Sequence, residues 1–249
     1  MKMKIVFLGT NGWYDTTTGN TLSTLVQTDR FDIIFDAGNG IHQADRYISG
    51  DKPVFIFISH FHLDHVAGLH ILGKFAFREK LTICGPKNSR QILNTFLNAP
   101  FTIPLEQLPY TTGILEMPEE SSALPFFVQA LPLWHSSLTL GYRIEVEGIT
   151  ISHCSDTGYC KNAVRLGKEA DLLITECAFK KGQANEDWPH LNPETAARIA
   201  AEAGTKRLAL THFDAFLYKT LEERAASQRT AAETFPATIA ASDGLEITI

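Results

Sequence analysis

The apolar and polar positions fall into blocks that predict alternating strands and helices. A continuous apolar run over 54–58, rich in β-branched and aromatic residues, predicts a fully buried strand. Another strand is predicted over 206–211. Asn192 is a favourable helix N-cap with Pro193 at the first helical position, and Gly204 marks the end of that helix. The chain therefore has the pattern of an α/β protein.

Weaker blocks complete the predicted order of elements. Further strands are predicted over 1–9, 22–28, 31–36, 81–84, 126–133, 140–146, 149–153 and 171–175, and helices over 41–48, 66–72, 87–98, 161–168 and 218–226. Five prolines between 99 and 125 predict loops with short strands there, and the tail over 237–249 is predicted to be extended. Hairpins early and strand–helix units late favour two packed sheets flanked by helices.

Length and composition limit the classes of protein. A chain of 249 residues suits a single domain over 1–249. The net charge of -6 argues against general affinity for nucleic acid. No apolar run approaches the roughly 20 residues that span a bilayer, so no membrane partner is expected. Four cysteines without CxxC spacing predict reduced thiols and a cytoplasmic protein.

Metal-ligand chemistry is concentrated just after the strand over 54–58. His60, His62, Asp64 and His65 lie within six consecutive residues in a strand-to-helix loop. Imidazole and carboxylate are ligands of Zn²⁺, Mn²⁺ or Fe²⁺. Two histidines separated by one residue can hold one ion, and the adjacent Asp-His pair can face a second. This segment predicts a metal site.

Other ligand-type side chains follow later strands in the same way. His135, Asp156, Glu176 and His212 each stand where a predicted strand ends. Active sites of layered α/β proteins collect along one sheet edge, so these residues are expected to meet the histidine segment.

The order His60-x-His62-x-Asp64-His65 resembles the signature of the metallo-β-lactamase-fold superfamily. Other segments are similar to the ribonuclease Z-like phosphodiesterases of that superfamily, namely 7–10, 35–40, 135–144, 155–158 and 211–213. The resemblance extends over nearly the whole chain. It implies a four-layer αββα sandwich and a binuclear metal-dependent hydrolase.

The resemblance also implies a division of the ligands. One ion would be held by His60, His62 and His135, the other by Asp64, His65 and His212, with Asp156 as the bridge. Zn²⁺ is the expected metal, with Mn²⁺ or Fe²⁺ as alternatives. A hydroxide between two such ions is nucleophilic near neutral pH, and Asp64 would also orient or deprotonate that water.

A second pair of residues is implied to act on the leaving group. His190 would contact the phosphate oxygens or protonate the leaving group, and Glu176 would orient it and keep it charged. Leu191-Asn192 departs from the Ser-Thr that usually follows in ribonuclease Z. The alternative is that Glu176 and His190 only close a hydrogen-bonded corner.

The expected substrate is a small phosphodiester, such as a cyclic nucleotide or a sugar cyclic phosphate. Ribonuclease Z enzymes carry a long, Gly-rich and basic arm that grips tRNA, and nothing comparable is found between His135 and His212. A tRNA or large duplex partner is therefore not expected. The alternatives are a tRNA 3′-end processing endoribonuclease, a hydrolase of a lactone, thioester or other acyl substrate, and a ligand or metal sensor on the same fold. A homodimer would be usual in this branch.

Several nearby residues receive other roles. Asp36 is expected to support the histidine loop by hydrogen bonds rather than to bind metal. Trp13 and Tyr14, in the loop after the first strand, are candidates for the pocket wall. The remaining candidates are not assigned to metal: His42 on a surface helix, His70 and His153 in local hydrogen bonds, and Cys154 as a buried thiol.

Overall fold

The computed structural model describes residues 3–249, so the first two residues of the predicted strand over 1–9 lie outside the described part. The strands are β1 (Lys4–Gly9), β2 (Asn11–Gly12), β3 (Ser23–Gln27), β4 (Asp32–Phe35), β5 (Val54–Phe57), β6 (Leu81–Gly85), β7 (Thr112–Glu116), β8 (Phe127–Pro132), β9 (Leu140–Val146), β10 (Ile149–Cys154), β11 (Leu172–Glu176), β12 (Leu208–Thr211), β13 (Phe213–Asp214), β14 (Thr238–Ala240) and β15 (Glu246–Thr248). The α-helices are α1 (Leu63–Val66), α2 (Ser89–Phe96), α3 (Lys161–Gly167), α4 (Pro193–Ala203) and α5 (Leu221–Ala232).

Two large sheets organise the chain. The first has seven strands in the order β15-β1-β3-β4-β5-β6-β7, and the second has six in the order β14-β12-β11-β10-β9-β8. Strands β4 to β7 are parallel to one another, as are β10, β11, β12 and β14. A short parallel pair, β2 with β13, joins the loop after β1 to the residues after β12. The carboxyl ends of the central strands therefore collect at one edge of each sheet.

Three apolar clusters give the layers. The first contains inward-facing residues of both sheets, such as Phe35 and Phe57 from one and Tyr142 and Ile174 from the other. The second cluster covers the outer face of the seven-stranded sheet, and the third packs α3, α4 and α5 on the six-stranded sheet. Burying both faces of each sheet requires continuous apolar strands, which explains the unbroken run over 54–58. The layers confirm the predicted αββα sandwich.

The hairpin predicted over 140–153 and the helix predicted after Asn192 are both present. The Asn192 side chain accepts a hydrogen bond from the Thr195 backbone N–H, and Gly204 closes the helix in the left-handed conformation with φ 64°. The last helix begins after Thr220 rather than at 218, because Thr220 and Glu223 cap it reciprocally.

Two helices predicted in the first half are wound differently. The segments Asn39–Arg46 and Ala67–Lys74 are 3-10 helices. A side chain at Gly40 would collide with the backbone of Gly9, so this segment lies unusually close to β1. Within residues 3–249, every helix falls short of the length and apolar character needed to cross a bilayer.

Candidate metal centre

The predicted ligands come together at the carboxyl ends of the strands. The segment after β5 supplies His60, His62, Asp64 and His65, the last two on α1. The loop after β8 supplies His135, the loop after β10 supplies Asp156, and the residue between β12 and β13 is His212. Both sheets thus contribute to one site, as expected from the positions of these residues at strand ends.

The first group of donors consists of three imidazoles and one carboxylate oxygen. His62 Nδ1 lies 3.4 Å from His135 Nε2. Asp156 Oδ2 lies 3.6 Å from His135 Nε2 and 3.8 Å from His60 Nε2. All four donors lie within 4.8 Å of one another, so this group can hold a metal ion.

The second group lies on the other side of Asp156. His65 Nε2 and His212 Nε2 are 3.2 Å apart, and Asp64 Oδ2 is 3.2 Å from His212 Nε2 and 3.6 Å from His65 Nε2. The second carboxylate oxygen of Asp156, Oδ1, is 3.3 Å from His65 Nε2 and 3.1 Å from His212 Nε2. Asp156 therefore presents one oxygen to each group.

The spacing of the donors suits a metal ion. A tetrahedral zinc ion with bonds of about 2.0–2.1 Å has ligand atoms about 3.4 Å apart, which matches the separations in both groups. The His60 Nε2 atom is buried and has no hydrogen-bond partner among the described residues, although it points at the Asp156 carboxylate. An orphaned buried nitrogen is costly unless a ligand occupies it. The residues present therefore fit a divalent ion in each group.

Asp36 and Ser59 orient the histidines from behind. Asp36 is fully buried, and its Oδ2 lies 3.0 Å from His65 Nδ1. The Ser59 backbone N–H donates to Asp36 Oδ1 and its hydroxyl to Oδ2, and the same hydroxyl lies 3.0 Å from His60 Nδ1. A carboxylate behind an imidazole fixes the tautomer so that the opposite nitrogen faces the ion. Asp36 thus lies where a supporting residue is needed and outside both donor groups.

The charges within the site are strongly coupled. Burial lowers the pKa of His60, and the neighbouring His65 lowers it further. Burial also opposes protonation of His65, but the Asp156 and Asp64 carboxylates outweigh it and raise the pKa of that imidazole well above its usual range. Burial raises the pKa of Asp156, yet His212 and His65 hold that pKa well below its ordinary value. The site therefore favours ionised carboxylates.

Three of the six described non-glycine residues with positive φ lie at the candidate site. Trp13, Asp36 and His212 are non-glycine residues with positive φ angles of 74°, 55° and 50°. Such conformations cost of order 1–3 kcal/mol each and persist only where surrounding contacts hold them. Here they aim the Asp36 carboxylate at His65 and the His212 ring at Asp64 and Asp156.

Glu176 and His190 form a separate hydrogen-bonded pair at the edge of the site. Glu176 Oε1 lies 2.7 Å from His190 Nδ1, and the two carboxylate oxygens accept the backbone N–H groups of Thr157 and Ala178. Burial lowers the pKa of His190, but the adjacent Glu176 carboxylate raises it to about 9. The centroids of the His190 and His135 rings lie 5.2 Å apart. A charged imidazole therefore lies beside the first donor group.

A cavity of about 730 Å³ opens over both donor groups. Besides predicted site residues, it is lined by Gly12, Trp13, Leu63, Ala178, Trp188 and Asp214. Trp13 was expected there from its loop, whereas Gly12, Trp188 and Asp214 were not singled out. The available signal for Trp188 was its place two residues before His190, in a polar stretch that has no core to fill.

The histidines left unassigned lie apart from the two donor groups. His42 Nδ1 and His70 Nδ1 are hydrogen bonded to the carbonyls of Asn39 and Ala67. His153 was expected to make local hydrogen bonds, but it makes none to the described residues, so that expectation is wrong. Its buried ring instead stacks on Phe35 at 4.8 Å between the sheets, and neither nitrogen has a partner. Burial lowers its pKa to about 4, so it remains neutral.

The chain is similar to known metallo-hydrolases over most of its length. The chain is 27% identical over 230 residues to the probable metallo-hydrolase YhfI of Bacillus subtilis, covering 86% of this chain and 88% of YhfI. It is 26% identical over 279 residues to a ribonuclease Z of Sulfurisphaera tokodaii, covering 94% of this chain and 95% of that enzyme. The chain is therefore similar over its length to proteins of the branch that the sequence motifs resemble.

Structure and family comparisons agree with the sequence relatives. The crystal structure of the metallo-beta-lactamase fold protein YhfI from Bacillus subtilis superposes with a TM-score of 0.79 at 23% identity, covering 100% of both chains, which shows a shared fold. A family model described as the beta-lactamase superfamily domain matches residues 32–213, well over half of the chain. The protein belongs to the beta-lactamase superfamily.

Proposed function

We propose that the protein is a binuclear metal-dependent phosphodiesterase that acts on a small phosphodiester. The observation that carries this proposal is the carboxylate of Asp156, which presents one oxygen to each of two donor groups that can each hold an ion. The hydrogen-bonded pair of Glu176 and His190 adds a proton donor beside them.

The ions would be divalent, with zinc as the first expectation and Mn²⁺ or Fe²⁺ as alternatives. One would be held by His60, His62, His135 and Asp156, the other by Asp64, His65, His212 and Asp156. When bound, such ions supply Lewis acidity toward a phosphoryl oxygen and acidify water near neutral pH.

The residues of the chain supply the proton transfers and the orientation. Hydrolysis adds the oxygen of water to phosphorus and breaks one P–O ester bond, so a proton must reach the departing oxygen. His190 is suited to donate it, because its pKa of about 9 keeps it protonated at neutral pH. Glu176 holds the ring through Nδ1, which leaves Nε2 free to face the substrate. Asp64 is the candidate that orients or deprotonates the attacking water.

The loops around the site favour a small substrate over tRNA. Between His135 and His212, the longest segment without a helix or strand runs over 177–192, and it lies against the site through Trp188 and His190 rather than extending away from it. The alignment with the Sulfurisphaera enzyme covers 279 positions, more than the 249 residues of this chain, so that ribonuclease Z contains additional segments. Those additional segments have no counterpart in this chain.

The test combines metal content with hydrolysis. We expect the purified protein to contain up to two divalent ions per chain and to hydrolyse bis(4-nitrophenyl) phosphate. His62→Ala and Asp156→Ala should each lose tight binding of one ion and nearly all activity. His70→Ala is the matched control, because His70 is exposed and its side chain is hydrogen bonded only to the Ala67 carbonyl among the described residues. Retained activity in Asp156→Ala would overturn the proposed centre.

The same assay separates phosphoryl from acyl chemistry. A bridged pair of ions can also promote attack on a lactone or thioester carbonyl, so an acyl-thioester and lactone panel is measured beside the phosphodiester. Rates greater on the acyl substrates than on the diester would assign the protein to acyl hydrolysis. A metal-replete protein that is inert on every ester would identify it as a sensor on the same fold.

A further inference from the structure

We propose that Trp13 and Trp188 form an aromatic slot, one tryptophan beside each half of the metal centre, that selects phosphodiesters carrying flat rings such as nucleobases or aryl groups. The inference rests on the proposed phosphodiesterase function and specifies its substrate class. In this assignment Trp188 holds the leaving-group arm of the diester and Trp13 holds the arm that stays on phosphorus.

Trp188 lies over the first donor group. Its ring is parallel to His62, with an interplanar angle of 6° and a centroid distance of 6.0 Å, and stands edge-on to His135 at 5.8 Å. It also lies 6.3 Å from the ring of His190. Nevertheless, 48% of the residue is exposed, within a cavity where an apolar ring has no core to fill. A substrate ring can therefore stack on the open face.

Trp13 lies at the other end, beside the second donor group. Its backbone N–H donates to Asp64 Oδ2 at 2.7 Å, and the preceding Gly12 lies against the His212 ring. Its φ of 74° is disfavoured for a bulky side chain, so local contacts hold this backbone in place. Trp13 is 66% exposed and lines the cavity, with Tyr14 edge-on to its ring at 5.3 Å.

The charges of the cavity agree with a diester that carries an uncharged ring. Among the described residues, its lining contains no lysine or arginine but does contain Asp214. Apart from the imidazole of His190 beside the donor groups, a second phosphate would meet no cationic side chain of this lining and would approach this carboxylate. Aromatic faces instead bind flat rings through stacking, which is tolerant of the particular base. The cavity is therefore suited to one phosphodiester flanked by rings.

The position of His190 decides which tryptophan holds which arm. His190 is the proposed proton donor to the departing oxygen, and Trp188 is the tryptophan adjacent to it. The Trp13 backbone N–H instead donates to Asp64, which belongs to the second donor group. A ring on the leaving group therefore falls on Trp188, and a ring on the retained group falls on Trp13.

Two substrates with the same leaving group test this assignment. Methyl 4-nitrophenyl phosphate has a ring only on the leaving arm, and thymidine 5′-(4-nitrophenyl) phosphate adds a base on the retained arm. Trp188→Ala should raise KM about tenfold for both, equivalent to about 1.4 kcal/mol, while Trp13→Ala should do so only for the thymidine ester. Trp188→Phe should keep most of the affinity. Phe101→Ala is the matched control, since Phe101 is also 66% exposed but lies outside the cavity.

The outcomes separate this inference from the proposed function. If the wild type hydrolyses both esters and neither alanine variant changes KM, the slot is wrong and the phosphodiesterase stands. If the wild type hydrolyses neither ester, calorimetric titration of the purified protein with thymidine 5′-monophosphate and with inorganic phosphate decides. A preference for the nucleotide that is lost in Trp13→Ala or Trp188→Ala supports the slot, and an unchanged preference overturns it.

Discussion

Replacement of Gly12 by alanine should disable the site without unfolding the chain. Gly12 belongs to the short strand β2, and its Cα faces the imidazole of His212. A Cβ atom built there lies 2.5 Å from His212 Cε1, 2.7 Å from Nδ1 and 2.8 Å from Nε2. The new methyl group would therefore overlap the whole edge of a predicted metal ligand.

The size of the effect follows from these distances. Carbon atoms make favourable contact at about 3.5–4.0 Å, so either the His212 ring or the loop must move by about 1 Å. A loop movement would lengthen the bond from the Trp13 N–H to Asp64, and a ring movement would displace a ligand nitrogen. Misplacement by about 1 Å can cost about 100-fold in rate, equivalent to about 2.7 kcal/mol.

The assay is kcat/KM on bis(4-nitrophenyl) phosphate, with metal content measured on the same sample. Circular dichroism and thermal unfolding should remain close to the wild type, because the clash is confined to the rim of the site. Gly73→Ala is the control, since its Cβ would meet the flexible ends of Ile103 at 3.2 Å and Leu108 at 3.8 Å. If Gly12→Ala keeps kcat/KM within about twofold of the wild type, the proposed role of His212 is refuted.

Three further changes test the supporting residues. Asp36→Asn removes the carboxylate behind His65, and competition with a chelator should show about 10- to 100-fold weaker metal binding; unchanged affinity would contradict this role. Burial lowers the pKa of His190, but the Glu176 carboxylate raises it to about 9. Glu176→Gln should therefore move the alkaline fall in kcat/KM to lower pH, because the imidazole then loses its proton at lower pH. An alkaline fall at the wild-type pH would refute the proton-donor role. Arg224→Met leaves several buried acceptors unpaired, and urea unfolding should show a loss of about 3 kcal/mol, with no loss as the contrary result.

Much of the candidate centre was predictable because its proposed ligands follow strands that are easy to recognise. The apolar run over 54–58 is too long and too β-branched to be a loop, so the position of His60 at its end was fixed by local pattern. The same holds for Glu176 at the end of β11 and His212 after β12. Since parallel strands bring their carboxyl ends to one edge, sequence position alone placed these side chains together.

The remaining features depend on contacts between distant segments. The closeness of Gly12 to His212 arises from the pairing of β2 with β13, two residues each, which leaves no periodic signal in the sequence. Trp188 lies in an irregular loop whose path is set by the Glu176–His190 bond. The 3-10 winding over 39–46 likewise reflects backbone packing on β1, whereas the apolar spacing indicated only a helix of some kind.

The loop over 10–20 contacts both the candidate site and the C-terminal residues Arg224 and Asp243. Arg224 of α5, only 2% exposed, donates to Thr10 Oγ1 at 2.7 Å and to Asn11 Oδ1. Asp243 accepts from the same Thr10 hydroxyl and from both the backbone and side-chain N–H groups of Asn20. These bonds hold the loop at Thr10 and Asn11 and again at Asn20, and Gly12 and Trp13 lie between these points; the buried Arg224 Nε has no hydrogen-bond partner among the described residues. Gly12 and Trp13 contact His212 and Asp64. Arg224 and Asp243 therefore help to position the second donor group although neither belongs to it.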